Sequence, residues 1–220
     1  MTHAASRSDA MTLLSDIGEE TDLRRLFGRF PTGVTTLCAM NEGQPIGMTA
    51  SAFVAVSLAP ALVSVCIKRG SWTWRQLRTR ERLGISFLGH GHAATARQLA
   101  QATGDRFLEL HYQEAPSGAV FLANATAWLE CSVENEIPAG DHDIVLFRLH
   151  RAAATDGIMP LVFHSSDFTR SRPSQLSHEA DRRCEVSSTA PKHHRAPPHA
   201  AAGLSAGQDT TRTEPASGSI

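Results

Sequence analysis

The stretch GVTTLCAMNEGQPIGMTASAF, residues 33–53, decides the fold. Residues 33–40 are β-branched and apolar, NEGQ (41–44) is a turn signal, and IGMTASAFVAVSL (46–58) reads as a second strand on the other side of a hairpin. The returning strand begins oddly, because PIGMTASAF sets Gly47, Thr49, Ala50 and Ser51 where a good strand would carry valine. Thr49 and Ser51 are two apart and share one side of an extended segment, while Gly47 and Ala50 leave the backbone open to close approach. Such a strand can lie against a flat ring and offer its N–H and C=O groups to the ring's edge. The same small residues also fit a crowded barrel corner, and this segment alone does not separate the two.

Working outward, ALVSVCIK (61–68) is a third strand, continuous enough to be buried on both faces. Upstream, DLRRLFGRF places Leu23, Leu26, Phe27 and Phe30 at helical spacing, with Asp22 able to cap the first turn and an end at Phe30-Pro31. Downstream, SWTWRQLRTR (71–80) is a helix with Ser71 as N-cap, RLGISFL (82–88) a strand, and HAATARQLAQA (92–102) a second short helix. ATAWLECSVENEI (125–137), DIVLFRLHRAAAT (143–155) and PLVFH (160–164) read as three more strands, the first two joined by the loop PAGD. Six or seven mostly antiparallel strands with helices inserted after the third and fourth predict a mainly β (α+β) fold, a closed or nearly closed barrel.

A chain of 220 residues with 41% hydrophobic content can bury one sizeable core. A net charge of -1 with scattered charges carries no one-sided basic footprint, which argues against a nucleic-acid partner. Cys38, Cys66, Cys131 and Cys184 form no Cys-x-x-Cys pair, and the first three fall in apolar runs that favour buried free thiols. The N-terminus has no apolar signal core and no run approaches the roughly 20 apolar residues of a membrane span, so the chain reads as soluble and cytoplasmic, with no membrane partner. Beyond Arg170 the sequence turns to Ser, Ala, Pro, Thr and His with almost no apolar period. Residues 172–220 and the first 18 are therefore expected to be disordered, leaving one folded domain over 19–171. His193, His194 and His199 belong to that tail and read as solvated side chains.

Two further clusters could carry chemistry. KRGSWTW (68–74) gathers Lys68, Arg69, Ser71 and Thr73 at a strand end leading into a helix, which suits a phosphate as well as it suits an ordinary capped surface helix. PAGDHDI (138–144) presents Asp141 and His142 from a hairpin loop, where an imidazole can donate to a carbonyl or simply be solvated. His90 and His92 have no evident third ligand, so no metal site is expected. Asp105 and Arg106 are expected to form a local ion pair holding a loop. Within residues 19–171 neither a Gly-x-Gly-x-x-Gly leading into a helix nor a Gly-x-Ser-x-Gly elbow is present.

Taken in order, FPTGV (30–34), PIGMTASAFVAVSLAPALVSVCIKRGSWTW (45–74), ISFL (85–88), DRF (105–107), AWLEC (127–131), GDHDI (140–144) and PLVFH (160–164) resemble the flavin reductase family, the short-chain reductase components of two-component monooxygenases. The resemblance covers roughly 20–170. It implies a split β-barrel homodimer that binds FMN or FAD and reduces it with NADH or NADPH for a partner flavin-dependent monooxygenase. It also implies cofactor contacts at Pro45, Gly47, Met48, Thr49, Ala50, Ser51 and Ala52 along the flavin ring, and at Cys66, Ile67, Lys68, Ser71 and Thr73 towards the ribityl phosphate. Ser86 and Phe87 join these contacts, standing where the family often has Asn-Val; Asp141 and His142 are placed near the nicotinamide, with His142 as the catalytic candidate. Phe163 stands where a tyrosine is frequent, and Ala59 where an acidic residue is usual. The alternatives are a flavoprotein that retains FMN and passes electrons to another acceptor, and a flavin-binding module without catalysis.

Overall fold

A two-residue turn, Glu42-Gly43, with φ of 51° and 78°, reverses the chain between β2 (Thr35–Asn41) and β3 (Gln44–Ala50). Two successive positive φ values match the right-handed twist of the flanking strands, and glycine takes the second without strain. The pair runs in register from Asn41 opposite Gln44 to Thr35 opposite Ala50. This is the predicted hairpin, seen in a computed structural model that describes residue 14 and residues 16–170. The expectations for residues 172–220, for most of the first 18 residues, for Cys184 and for His193, His194 and His199 fall outside the described residues.

IGMTASAFVAVSL is two strands, not one: β3 stops at Ala50, and β4 (Phe53–Leu58) starts after Ser51 and Ala52. The reason is topological. With β2, β5 (Ala61–Lys68), β6 (Leu83–Phe87), β9 (Ala127–Ala139) and β10 (His142–Ala154), they make a seven-stranded antiparallel sheet in the order β3-β2-β6-β9-β10-β5-β4. Laid flat, its edges would stand about 29 Å apart, whereas three Cα steps from Ala50 to Phe53 reach only about 11 Å. The sheet must curl until its edges meet, and Ser51-Ala52 is the seam. A mainly β, split-barrel architecture follows from that connection.

The barrel encloses Leu37, Val65, Ile67, Leu83, Ile85, Val145 and Phe147, with α2 (Trp72–Leu77) contributing Trp74 and Leu77. A second cluster outside the sheet joins Val34, Cys38, Leu88, Val120 and Leu122 to α3 (Ala93–Leu99) through Ala96 and Leu99. Alternate residues of β2 therefore face different cores, which is why Val34 to Ala39 are all buried. Three short strands complete the outer layer: β1 (Thr32–Gly33) pairs with β11 (Leu161–His164), which pairs with β12 (Asp167–Arg170). The hairpin of β7 (Tyr112–Glu114) and β8 (Val120–Leu122) crosses β6 so closely that a Cβ on Gly84 would lie 2.1 Å from the Val120 carbonyl oxygen.

Several expectations are revised. Both inserted helices are shorter than predicted, although Ser71 does cap α2, its Oγ accepting from the Trp74 N–H at 3.2 Å. α1 (Glu20–Phe27) starts before Asp22, with Glu19 at the N-cap position and no side-chain cap, and none of its residues is buried. Leu26, Phe27 and Phe30 stay exposed, so the apolar stripe lacks a partner within the described residues. β5 is buried on both faces only at its centre, since Cys66 and Lys68 face out; of the three described thiols, Cys38 and Cys131 are buried and Cys66 is not.

Candidate functional site

The seam between β3 and β4 opens the barrel at one end. Ser51 and Ala52 are exposed there, and their N–H groups have no protein acceptor among the described residues. The neighbouring carbonyls are engaged: Ala50 O accepts from Thr35 Oγ1 at 3.0 Å, and Ala52 O from the Cys66 N–H at 3.3 Å. The junction thus offers two backbone donors on a small, unobstructed surface, and Cys66 lies exposed across from it. Beneath, a cavity of about 220 Å³ is bounded by Gly33, Thr35, Phe53 and Phe87, whose rings meet edge to face with centroids 4.8 Å apart.

Pairing of β5 with β10 brings the other two motifs to the same end. Lys68 sits opposite His142 and Cys66 opposite Ile144. The loop is clamped from both sides, the Arg69 N–H donating to Asp141 O at 3.0 Å and Arg69 Nε to Asp143 Oδ1 at 2.8 Å. Asp141 Oδ1 lies 2.8 Å from His142 Nδ1. The carboxylate only accepts, so Nδ1 carries a proton, and Nε2 has no hydrogen-bond partner among the described residues. That bond from His142 holds the Asp141 carboxyl below the usual range. α1 borders this end: the Lys68 and Asp141 charges both reach Glu20, whose carboxyl is lowered chiefly by its bond to Arg24.

Other predicted residues serve the scaffold. Ser86 is fully buried and its Oγ accepts from the Leu122 N–H at 3.1 Å, so it has no surface to offer a ligand. Ile67 points into the barrel core. Pro45, opposite Met40 near the far turn, lies six residues and about 20 Å of strand from Ser51. Gly47 is buried; a Cβ there would stand 2.6 Å from Cys38 Sγ and 2.9 Å from Phe107 Cζ, so a protein ring accounts for that missing side chain. Met48 and Ala50 pack on the barrel core, and Thr49 Oγ1 donates to Ala96 O at 3.1 Å, tying β3 to α3.

Arg106 was not anticipated in its true role. Asp105 instead accepts the Phe107 N–H at 2.9 Å, and the Arg106 guanidinium reaches inward to Thr73 Oγ1 at 2.7 Å and Gly47 O at 3.3 Å. No carboxylate pairs with it among the described residues. Thr73 is buried, so what stands beside Ser71 is a positioned cation rather than a second free hydroxyl. The sequence signal was the DRF motif itself, misread as local because Arg106 and its partner Thr73 are 33 residues apart. α2 has only six residues and contributes little dipole, which leaves Lys68, Ser71 and Arg106 as the groups suited to an anion. Among the described residues no group of three His, Cys, Asp or Glu side chains is placed to hold a metal; His92 is engaged at both ring nitrogens, by the Gly89 N–H at 3.1 Å and by Ala123 O at 2.9 Å.

Residues 27–172 match the model of the flavin reductase like domain. The chain belongs to that family. An NADH-dependent FAD reductase from Streptomyces globisporus is 33% identical over 165 residues, covering 73% of this chain and 90% of that protein. The structure of the Streptomyces globisporus NADH:FAD oxidoreductase SgcE6 with NAD and FAD fragments superimposes with a TM-score of 0.68 at 32% identity, over 73% of this chain and 99% of that one. A stachydrine N-demethylase reductase subunit of Rhizobium meliloti is 34% identical over 136 residues; the chain spans 61% of itself and 59% of that relative. A probable flavin reductase of the same organism is matched over 44% of its length. The flavin reductase like domain thus accounts for the barrel and its open end, and among the described residues no helix is long and apolar enough to cross a membrane.

Proposed function

We propose that the protein is an NAD(P)H-dependent flavin reductase that reduces FMN or FAD and releases it to a partner flavin-dependent monooxygenase. One observation carries the reading: three segments far apart in sequence, Ser51-Ala52, Lys68 to Ser71 and Asp141-His142, meet at the open end of a flavin reductase like barrel. The residues fit a flavin. The Ser51 and Ala52 N–H groups suit the acceptor edge of an isoalloxazine, the small side chains leave its face uncovered, and Lys68, Ser71 and Arg106 suit its phosphate. A bound flavin supplies the acceptor for a hydride from the nicotinamide. His142, fixed by Asp141, positions and polarises the nicotinamide carboxamide. The relatives support delivery to an oxygenase, since one is the reductase subunit HsaB of a flavin-dependent monooxygenase from Rhodococcus jostii.

A homodimer completes the proposal. The outer face of β4, β5, β10 and β9 carries Val54, Cys66, Ile144 and Ile137 next to the seam, and Val54 is 57% and Ile137 42% exposed. An apolar face of this kind suits burial against a second copy. The deciding experiment mixes purified protein, excess FMN or FAD and NADH or NADPH, and follows the nucleotide absorbance. Oxidation above the flavin-only control is expected, with flavin lost on gel filtration. No oxidation would leave a flavin-binding module, and retained flavin would favour electron transfer to another acceptor.

A further inference from the structure

A second cavity, of about 640 Å³, opens between the β7–β8 hairpin and the paired β9 and β10 strands and shares no residue with the site above. Its size falls within the roughly 300–1,000 Å³ typical of small-molecule sites. Trp128, Phe121, Asn124, Glu130 and Arg151 are among its walls. Glu130 and Trp128 are two apart on β9 and so share a face. The indole is fixed, its Nε1–H donating to Leu122 O at 2.7 Å.

Glu130 is the unusual member. Its side chain is 7% exposed, yet its partners are a neutral hydroxyl, Ser117 Oγ at 2.6 Å from Oε1, and Arg151, whose Nη1 stands 3.4 Å from Oε2 on a side chain 75% exposed. A buried carboxylate is costly unless a close cation and further donors compensate it. Arg151 makes a long ion pair from a mostly exposed side chain, which compensates the charge only in part, and the two oxygens can accept about four bonds in all. An aromatic ring beside a carboxylate with unused acceptor positions is the chemistry that recognises an organic cation.

We propose that this cavity binds a small organic ammonium ion, its charge on Glu130 and its apolar body against Trp128 and Phe121. Arg151 then acts as a competing cation at the mouth. The test uses 2-phenylethylammonium as probe and uncharged 2-phenylethanol as control, with the full chain and no flavin. Heteronuclear NMR follows the Trp128 indole N–H, assigned by its loss in Trp128→Phe. Saturable shifts with the ammonium and none with the alcohol are expected. Glu130→Gln keeps the acceptor for Ser117 and should weaken binding roughly tenfold or more, as loss of a charge-assisted bond does. Arg151→Ala should tighten it, because the competitor is gone. No saturable shift, equal response to the alcohol, or affinity indifferent to both variants would overturn the proposal. Thermal unfolding of each variant separates a damaged hairpin from a lost site.

Discussion

Gly47→Ala separates two reasons for a missing side chain. The added Cβ would lie 2.6 Å from Cys38 Sγ, 2.9 Å from Phe107 Cζ and 3.2 Å from Leu37 O. Ordinary carbon contacts sit at about 3.5–4.0 Å, so the methyl intrudes on two neighbours by roughly 1 Å. Both neighbours are closely confined, Cys38 at 0% and Phe107 at 8% exposure. Overpacking of this kind costs about 1–3 kcal/mol, from which the reduced freedom of the unfolded chain returns about 0.4–1. A net loss of about 1–2 kcal/mol lowers Tm by roughly 2–8 °C at this chain length. Removing the sulfur should relieve part of it, so Cys38→Ala and Gly47→Ala combined should lose less than the sum of the single losses, with a coupling of about 1 kcal/mol. Flavin affinity, measured by fluorescence quenching, should barely change, because the new methyl points to the Phe107 side and not to the exposed seam. An unchanged Tm together with a large loss of flavin affinity would refute the packing argument and restore Gly47 as a ligand contact.

Arg106→Met should weaken FMN by about 10- to 100-fold, the worth of a charged hydrogen bond, and leave riboflavin nearly untouched; equal losses for both would take Arg106 away from the phosphate. His142→Ala should raise the nicotinamide KM more than the flavin KM in steady-state assays, and the opposite split would place the imidazole at the flavin. In a Cys184→Ser background a thiol reagent near neutral pH should label Cys66 alone, because burial pushes the Cys38 and Cys131 thiols up to about 12 from 9.0; rapid labelling of a second thiol in native protein would contradict this. Those raised values favour the folded state fully below pH 9.0, and the benefit is lost as pH rises towards about 12, where the unfolded chain has already released both protons. Urea midpoints should therefore fall over that window, less steeply in Cys131→Ala.

The hairpin and the helix cap were legible because each rests on local chemistry: NEGQ reverses the chain, and Ser71 caps the turn that follows it. The clamp of Arg69 on Asp141 and Asp143 was not legible, since it depends on β5 lying beside β10. Ser86 illustrates the limit. Its hydroxyl was expected at a ligand, but β8 crosses β6 and supplies the Leu122 N–H instead.

The sequence by itself determined the periodicities, turns and caps, and hence a curled antiparallel barrel with short helices, because these depend on residues a few positions apart. Only the tertiary structure decided which polar groups remain free. Tertiary packing assigns Thr49 to Ala96, Ser86 to Leu122 and Thr73 to Arg106, and leaves the Ser51 and Ala52 N–H groups without an acceptor among the described residues. Whether a hydroxyl or an amide can meet a ligand depends on the partner that folding brings to it, and that partner lies far away along the chain.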